Sequence, residues 1–125
     1  MDQKEKRRFE RMQFSGSNGI NGIFVSELHP GESISASIMD LSLGGLGIVF
    51  KNDMTGLLQQ GDVLVLSEIR NMPSLAFMKN IKMKIRWAGL QSPGQFALGC
   101  EFFEISEDFA EKLQKAMSSW KIRII

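Results

Sequence analysis

Apolar residues recur at every second position over much of this chain, and this alternation limits its possible folds more than any other feature. From Ile81 to Trp87, apolar side chains alternate with Lys82, Lys84 and Arg86. Side chains of a β-strand point alternately to the two faces of a sheet, so this pattern is typical of a half-buried strand. Turn residues separate further segments that favour strands, at 23–28, 33–39, 46–50, 62–69 and 96–103. The sequence therefore predicts about six strands.

The period changes to that of a helix near the end of the chain. Ser106 is followed by Glu107 and Asp108, which is typical of a helix N-terminus with acidic residues in its first turn. Apolar residues then recur at helical spacing, at Phe109, Leu113, Ala116, Met117 and Trp120. Six strands in so short a chain favour closure into a barrel, because closure removes exposed strand edges. We therefore expect an all-β fold, a small six-stranded antiparallel β-barrel with a C-terminal α-helix.

The predicted division of the chain follows from its polarity. Residues 1–14 are expected to form an arginine-bearing arm, because this segment is highly charged and has no apolar stripe. Residues 15–125 are expected to form the barrel and its helix. They begin with a glycine-rich loop at 15–22, and His29-Pro30-Gly31 predicts the turn after the first strand. Aromatic residues at alternating or helical spacing are predicted to lie in the core, among them Trp87, Phe102 and Trp120.

The composition argues against several classes of protein. Fifteen basic and 14 acidic residues give a formal net charge of +1, whereas general attraction to nucleic acid or anionic membrane needs a larger positive excess. No segment approaches the roughly 20 apolar residues of a membrane span. The charged N-terminus does not resemble a secretory signal, and the single cysteine, Cys100, suits a reducing compartment. We therefore expect a soluble cytoplasmic domain.

Residue types that carry catalysis or bind metals are not grouped along this sequence. The single histidine, His29, has no evident partner, and the carboxylates are scattered. The glycine-rich Gly44-Gly45-Leu46-Gly47 lacks the following Lys-Ser/Thr of a phosphate-binding loop and leads into a strand. A lone Cys100 does not indicate a zinc site. The sequence predicts neither an enzyme nor a metal or cofactor site.

Two local motifs remain, and each alone has an ordinary structural explanation. Lys6-Arg7-Arg8-Phe9-Glu10-Arg11 places three arginines within five residues, which by itself is typical of a solvated tail. Asp40-Leu41-Ser42-Leu43-Gly44-Gly45 joins two predicted strands. By itself it is a suitable turn, because Asp and Ser bond nearby backbone and glycine accepts positive φ. Their combination and order are more informative.

Together the two motifs resemble those of the PilZ domain family. That family carries Arg-x-x-x-Arg in its N-terminal segment and Asp/Asn-x-Ser-x-x-Gly between later strands, in the order found here. The matching residues, with a further arginine between the first pair, are Arg7, Arg8, Arg11, Asp40, Ser42 and Gly45. Residues 84–87 and 98–102 also look like the family's last pair of strands. The resemblance spans nearly the whole chain and departs from the family pattern in the long loop at 15–22.

The resemblance implies that the ligand is cyclic di-GMP, and the chemistry of the matching residues agrees. Guanine presents O6 and N7 as acceptors, which one arginine guanidinium can bind with two hydrogen bonds, and arginine also binds phosphate strongly. Ionised Asp40 is acceptor-only and complements the N1–H and amino donors of guanine, and Ser42 can add one more acceptor. Gly45 has no Cβ and would allow close approach of a base.

We therefore expect a signalling receptor whose arm closes on the nucleotide and so changes the surface offered to an unidentified protein partner. The resemblance permits control of motility, adhesion or exopolysaccharide synthesis. One alternative is an adaptor of pilus assembly that does not bind nucleotide, although such PilZ proteins typically lack one of the motifs. Another is a binder of single-stranded nucleic acid, which would need exposed aromatic residues among Lys82, Lys84 and Arg86.

Overall fold

The computed structural model describes residues 12–14, 19–51 and 58–124, with side chains as far as Ser119. The described strands come first along the chain, and the α-helix comes last. The strands are β1 (Met12–Gln13), β2 (Ile20–Ser26), β3 (His29–Leu41), β4 (Gly45–Lys51), β5 (Val63–Arg70), β6 (Ile81–Ser92) and β7 (Gln95–Phe102). A short 3₁₀ helix at Pro73–Leu75 lies between β5 and β6, and α1 (Glu107–Ile124) completes the fold.

Six of the seven strands close into an antiparallel barrel. They pair in the order β3-β2-β5-β6-β7-β4, and β4 pairs in turn with β3. Strand β1 is the seventh strand and pairs with the end of β3, where Met12 lies opposite Leu41 and Gln13 opposite Asp40. The all-β barrel with a C-terminal helix that the sequence predicts is therefore confirmed.

The barrel interior is filled by alternate residues of its strands, as their two-residue period predicts. On β3, Ile34 and Ile38 are buried whereas Ser33 and Ser35 are exposed. Burial of such an aliphatic side chain contributes about 1.5–3 kcal/mol to folding. The other strands supply fully buried residues to the same core, including Ile20, Phe24, Leu64, Leu66, Met83 and Ile85.

Helix α1 packs against the barrel end at which β7 finishes. The hydroxyl of Ser106 accepts a hydrogen bond from the Phe109 amide at 3.1 Å, and so caps the helix as its sequence predicts. The ring of Phe109 meets the ring of Phe102 edge to face, with centroids 5.5 Å apart, and lies 5.8 Å from that of Phe77. Further along the helix, Leu113 and Met117 are buried.

The turn between β2 and β3 lies earlier than the sequence predicts. Glu27 and Leu28 form this turn, and the Ser26 hydroxyl accepts a hydrogen bond from the Leu28 amide at 3.2 Å. His29, Pro30 and Gly31 belong to β3, so their assignment to a turn was wrong. The pairing of β2 with β3 shifts between Val25 and Ser26, and a proline is tolerated at such an irregularity near the start of a strand.

Trp87 does not lie in the core, so that prediction was also wrong. Its side chain is 53% exposed. The pairing of β6 with β7 shifts between Ile85, which lies opposite Cys100, and Trp87, which lies opposite Gly99. This bulge makes Arg86 an extra residue, and one extra residue reverses the faces of the strand beyond it. Phe102 is buried as predicted, and the side chain of Trp120 lies outside the described residues.

Candidate ligand-binding site

Four residues on four neighbouring strands lie side by side on the outer surface of the barrel. Asp40 on β3 lies opposite Gly47 on β4, Gly47 lies opposite Gly99 on β7, and Gly99 lies opposite Trp87 on β6. Directly opposed residues of neighbouring strands project to the same face of a sheet. The row therefore has a carboxylate at one end, an indole at the other and two glycines between them. We call it the Asp40–Trp87 row.

The carboxylate of Asp40 lies directly beside the backbone of β4. A Cβ atom on Gly47 would be 3.0 Å from Oδ2 of Asp40 and 3.2 Å from its Oδ1. These distances are shorter than ordinary van der Waals contact, so a side chain at this position would displace the carboxylate. The absence of a Cβ on Gly47 thus allows Asp40 to lean from β3 toward the middle of the row.

The indole of Trp87 lies on the backbone of β7 in a corresponding way. A Cβ atom on Gly99 would overlap Nε1 and Cε2 of the indole and lie 2.6 Å from Cδ1. An indole that met Gly99 with its edge would bring only one ring atom so close. The indole therefore turns one face toward Gly99, and its exposure leaves the opposite face toward solvent.

The Asp40–Trp87 row is suited to a flat ligand with hydrogen-bond donors on one edge. Neighbouring strands are about 4.8 Å apart, so a carboxylate above β4 and an indole above β7 approach each other across adjacent strands. The indole offers a stacking surface, and the carboxylate accepts hydrogen bonds only. An aromatic base with an amino group fits this pair of functions.

Ser42 closes the turn that leads from β3 to β4. Its amide donates to the carbonyl of Gly45 at 2.9 Å, and its hydroxyl accepts a hydrogen bond from the Gly44 amide at 3.1 Å. The hydroxyl also donates to the Gly45 carbonyl at 3.4 Å, and the side chain is only 4% exposed. The structure thus gives Ser42 a role in shaping the turn beside Asp40. Its contact with a ligand stays a prediction.

Gly45 lies where β4 and β7 approach each other closely. A Cβ atom at this position would overlap the carbonyl oxygen of Cys100 and lie 3.0 Å from Cα of Glu101. Because neither backbone can give way within a paired ladder, only glycine fits here. The Asp-x-Ser-x-x-Gly motif thus forms a tightly packed turn that begins at Asp40 and ends at the contact of Gly45 with β7. Contact of Gly45 with a base stays a prediction.

The predicted arginines Arg7, Arg8 and Arg11 lie outside the described residues. The described residues begin at Met12, directly after Arg11, and this segment pairs with β3 beside Asp40. The Phe14 amide donates to the carbonyl of Met39 at 2.9 Å, which extends this attachment by one residue. Met12, the residue that follows Arg11, is therefore paired next to the carboxylate end of the Asp40–Trp87 row.

Comparison with known proteins identifies the family. The family model described as the PilZ domain matches residues 5–119 of this chain. The chain belongs to the PilZ family. No match to this PilZ chain was found among curated proteins.

Several solved structures share the fold of this chain at low sequence identity. The PilZ domain of YcgR from Escherichia coli, solved with c-di-GMP, superposes with a TM-score of 0.73 at 16% identity and covers 95% of this chain and 94% of that one. MrkH from K. pneumonia, in complex with c-di-GMP, gives 0.64 at 17% identity, with 94% and 53% covered. The Bacillus subtilis inhibitor of motility MotI/DgrA gives 0.63 at 18% identity, with 91% and 51% covered. This PilZ chain thus spans about half of the latter two proteins.

The basic residues of β6 in this PilZ domain are partly neutralised by acidic neighbours. Lys82 forms an ion pair with Glu104 at 3.5 Å, and Arg86 forms one with Glu101 at 3.3 Å. All four side chains are largely exposed, so these pairs add little to stability, yet they offset the positive charge of this face. The strand therefore carries one exposed aromatic residue, Trp87, beside basic residues whose charge is partly offset, and it meets the requirements of a single-strand nucleic-acid binder only in part.

The described part of the PilZ chain contains neither a candidate metal site nor a helix that could span a membrane. There, no group of three or more His, Cys, Asp and Glu residues could hold a metal ion. Within the same ranges, none of the helices combines the length and apolar character needed to cross a bilayer. Cys100 is buried in the barrel wall, and burial raises the pKa of its thiol to about 12, which keeps the thiol neutral.

Sequence reasoning missed three residues of the Asp40–Trp87 row. Trp87 was assigned to the core because a one-residue bulge leaves no mark on an alternating pattern. Gly47 and Gly99 carried a usable signal, since glycine inside a strand often marks close approach of another group. What approaches each of them, the carboxylate of Asp40 and the indole of Trp87, depends on pairing between strands and cannot be derived from either segment alone.

Proposed function

We propose that this PilZ domain is a receptor for cyclic di-GMP and that one guanine of the ligand binds on the Asp40–Trp87 row. The supporting observation is the geometry of this row, in which an acceptor-only carboxylate and a solvent-facing indole surface converge over adjacent strands. Guanine has a flat face for stacking, and N1–H and the amino group are two donors on one edge. Two of the similar structures, those of YcgR and MrkH, contain c-di-GMP.

Asp40 supplies the selectivity for guanine in this proposal. A carboxylate complements the N1–H and amino donors of guanine, whereas adenine has no such pair of adjacent donors. The position of the carboxylate depends on Gly47 beside it and on the corner that Ser42 and Gly45 hold. Ser42 and Gly45 therefore belong to the proposed site. The hydroxyl of Ser42 is already hydrogen-bonded to the backbone of Gly44 and Gly45 within the turn.

Arg7, Arg8 and Arg11 supply the positive charge that the ligand requires. Cyclic di-GMP carries two phosphodiester anions, and the O6 and N7 acceptors of guanine match the donors of a guanidinium. The Cα of Arg11 is about 3.8 Å from that of Met12 by chain connectivity, and Met12 lies opposite Leu41, the neighbour of Asp40. This β1–β3 pairing supports the proposal that the arginines reach a ligand bound on the row.

The proposed activity is binding, with no chemical step. In this proposal residues 1–14 act as an arm that is already attached to β3 at Met12–Phe14 and whose preceding residues become ordered on the ligand. Residues 15–125 act as the barrel against which the arm closes. Ordering of the arm lowers the affinity by its entropic cost but changes the surface that a protein partner meets. We propose that the protein binds its ligand in the cytoplasm, where Cys100 would stay reduced.

Calorimetric titration of the purified protein with cyclic di-GMP tests the proposal, with cyclic di-AMP and GMP as matched ligands. Saturable binding is expected for cyclic di-GMP, with cyclic di-AMP much weaker because it cannot donate two hydrogen bonds to Asp40. GMP should also be weaker, since it occupies only part of the site. No saturable binding of cyclic di-GMP, or equal affinity for the two cyclic dinucleotides, would overturn the proposal and favour the nucleotide-free adaptor.

A further inference from the structure

We infer that Gly99 is a positioning residue of the ligand site, because it provides the flat surface that fixes the orientation of the Trp87 indole. The inference deepens the proposed function and rests on it for the identity of the ligand. It concerns a residue in the middle of β7 that lies outside both sequence motifs of the family. Its basis is the contact between the Gly99 backbone and one face of the Trp87 ring.

The backbone around Trp87 is fixed by the strand ladder. Ile85 lies opposite Cys100 before the bulge, and Ala88 lies opposite Leu98 after it. These pairs determine that the Trp87 side chain leaves the outer face of the barrel, but they do not determine how its ring is turned. An exposed tryptophan on a strand has several side-chain rotamers available, so another contact must select one of them.

Gly99 provides that contact by leaving room for the indole. Any Cβ at this position would overlap Nε1 and Cε2, so the observed ring position exists only above a glycine. The indole covers the buried backbone of Gly99 and keeps its other face in solvent. Selection of this rotamer before the ligand arrives removes a conformational cost from binding, which is the usual gain from a preorganised site.

An alanine at position 99 should move the indole without unfolding the barrel. The new methyl group would point to the outer surface, and Trp87, whose ring it displaces, is already 53% exposed. The Trp87 ring can therefore rotate into solvent while the β4–β7 and β6–β7 ladders stay paired. Gly89 offers a matched control, because it lies on β6 in the same hairpin and a Cβ there would meet nothing within 4 Å.

The first measurement requires no ligand. In the unsubstituted protein, the ring current of an indole face above Gly99 should shift the Gly99 Hα resonances upfield, and Trp87→Ala should abolish the shift. Gly99→Ala should also move the Nε1–H resonance of Trp87, whereas Gly89→Ala should leave it in place. Gly99 Hα resonances with ordinary shifts in the unsubstituted protein would overturn the inference without any variant.

The second measurement is titration with cyclic di-GMP. Gly99→Ala and Trp87→Ala should each weaken binding on the order of tenfold, the scale of one base–aromatic stack. Gly89→Ala should bind as the unsubstituted protein does. The double variant Gly99→Ala/Trp87→Ala should bind no more weakly than Trp87→Ala alone, since both changes remove the same interaction.

The two measurements separate failure of this inference from failure of the proposed function. If Trp87→Ala weakens binding but Gly99→Ala does not, Gly99 has no positioning role, although the receptor proposal stands. If the unsubstituted protein does not bind cyclic di-GMP, the receptor proposal fails. In that case the resonance of Gly99 still decides whether this residue orients Trp87.

Discussion

Gln13 on β1 lies directly opposite Asp40 on β3, and Asp40 lies opposite Gly47 on its other side. The carboxylate at one end of the Asp40–Trp87 row is thus held between the strand that follows the arginine segment and the strand that continues the barrel. Met12, the residue that follows the arginine motif, lies opposite Leu41, the residue that follows Asp40, although about thirty residues of chain separate the two. The arm and the row can therefore contact one ligand while every barrel strand keeps its partners.

Replacement of Arg7 or Arg11 by alanine should weaken cyclic di-GMP binding severely. Loss of one charge-assisted hydrogen bond costs about 1.5–3 kcal/mol, which corresponds to roughly ten- to a hundredfold in affinity. Calorimetry measures the change, and Lys79→Ala, which removes an exposed positive charge before β6, serves as the control. Unchanged affinity in both arginine variants would refute the assigned role of the arm.

Asp40→Asn should reduce both the affinity for cyclic di-GMP and the preference for it over cyclic di-AMP. The substitution replaces one acceptor oxygen by a donor, which then faces the donors of guanine. A loss of about ten- to a hundredfold is expected for cyclic di-GMP. Glu32→Gln is the matched control, because Glu32 is an exposed acidic residue on the same strand. If Asp40→Asn keeps the full preference, guanine is recognised elsewhere.

Ser42→Ala should mainly destabilise the fold. The Ser42 hydroxyl is buried and accepts a hydrogen bond from the Gly44 amide, so its removal leaves that amide without this acceptor. The free energy of unfolding should fall by about 1–3 kcal/mol, measured by urea denaturation. Ser35→Ala, on the exposed face of β3, should change it little. An unaltered urea midpoint for Ser42→Ala would show that the turn does not depend on this hydroxyl.

The stability of the domain should decrease in alkaline solution because of Cys100. Burial raises the pKa of its thiol from 9.0 to about 12, so above pH 9 the unfolded chain releases this proton and the folded chain retains it. The contribution of the neutral thiol to stability is complete below pH 9 and is lost as the pH rises toward 12.

This loss can be measured by comparison with Cys100→Ala. Urea denaturation across that pH range should show a steeper decrease for the unsubstituted protein, by up to about 1.4 kcal/mol per pH unit. Parallel decreases in the two proteins would mean that Cys100 ionises equally in both states. The variant has no thiol and therefore controls for all other groups that titrate at high pH.

Ligand binding should protect the backbone amides of residues 4–11 from hydrogen exchange. The proposed arm becomes ordered only against the ligand, whereas Phe14 already donates its amide to Met39 at 2.9 Å. Exchange monitored by mass spectrometry or NMR should therefore slow at 4–11 on addition of cyclic di-GMP, with Phe14 protected in both states. Equal exchange at 4–11 with and without ligand would contradict closure of the arm.

The strands and the helix could be predicted from the sequence because their periods are local properties. Ile34 and Ile38 are buried as their alternation indicates, and Ser106 caps the helix as its position indicates. Strand β1 has only two residues, too few to show a period. Trp87 was misplaced because the bulge at Arg86 depends on pairing with β7, which the segment itself does not encode.

Part of the candidate site could be proposed from the sequence. Asp40, Ser42 and Gly45 could be selected because their types and spacing form a motif, but their division of labour required the structure. Ser42 and Gly45 stabilise the turn after β3, whereas the carboxylate of Asp40 lies over Gly47 of the neighbouring strand. The Trp87 surface came entirely from contacts between strands, since neither Gly99 nor Trp87 identifies the other in the sequence.

Strands β1 and β2 occupy successive stretches of one edge of β3, with β1 beside residues 40–41 and β2 beside residues 29–38. The barrel seam is completed by β3 and β4, so β1 is an appendage to a scaffold that is already closed. Substitutions in the arm could therefore weaken or abolish the proposed nucleotide binding while the barrel keeps its fold. In the proposed receptor, such an arrangement permits nucleotide binding to be lost while the fold is kept, and to be regained through changes in a few residues of one segment.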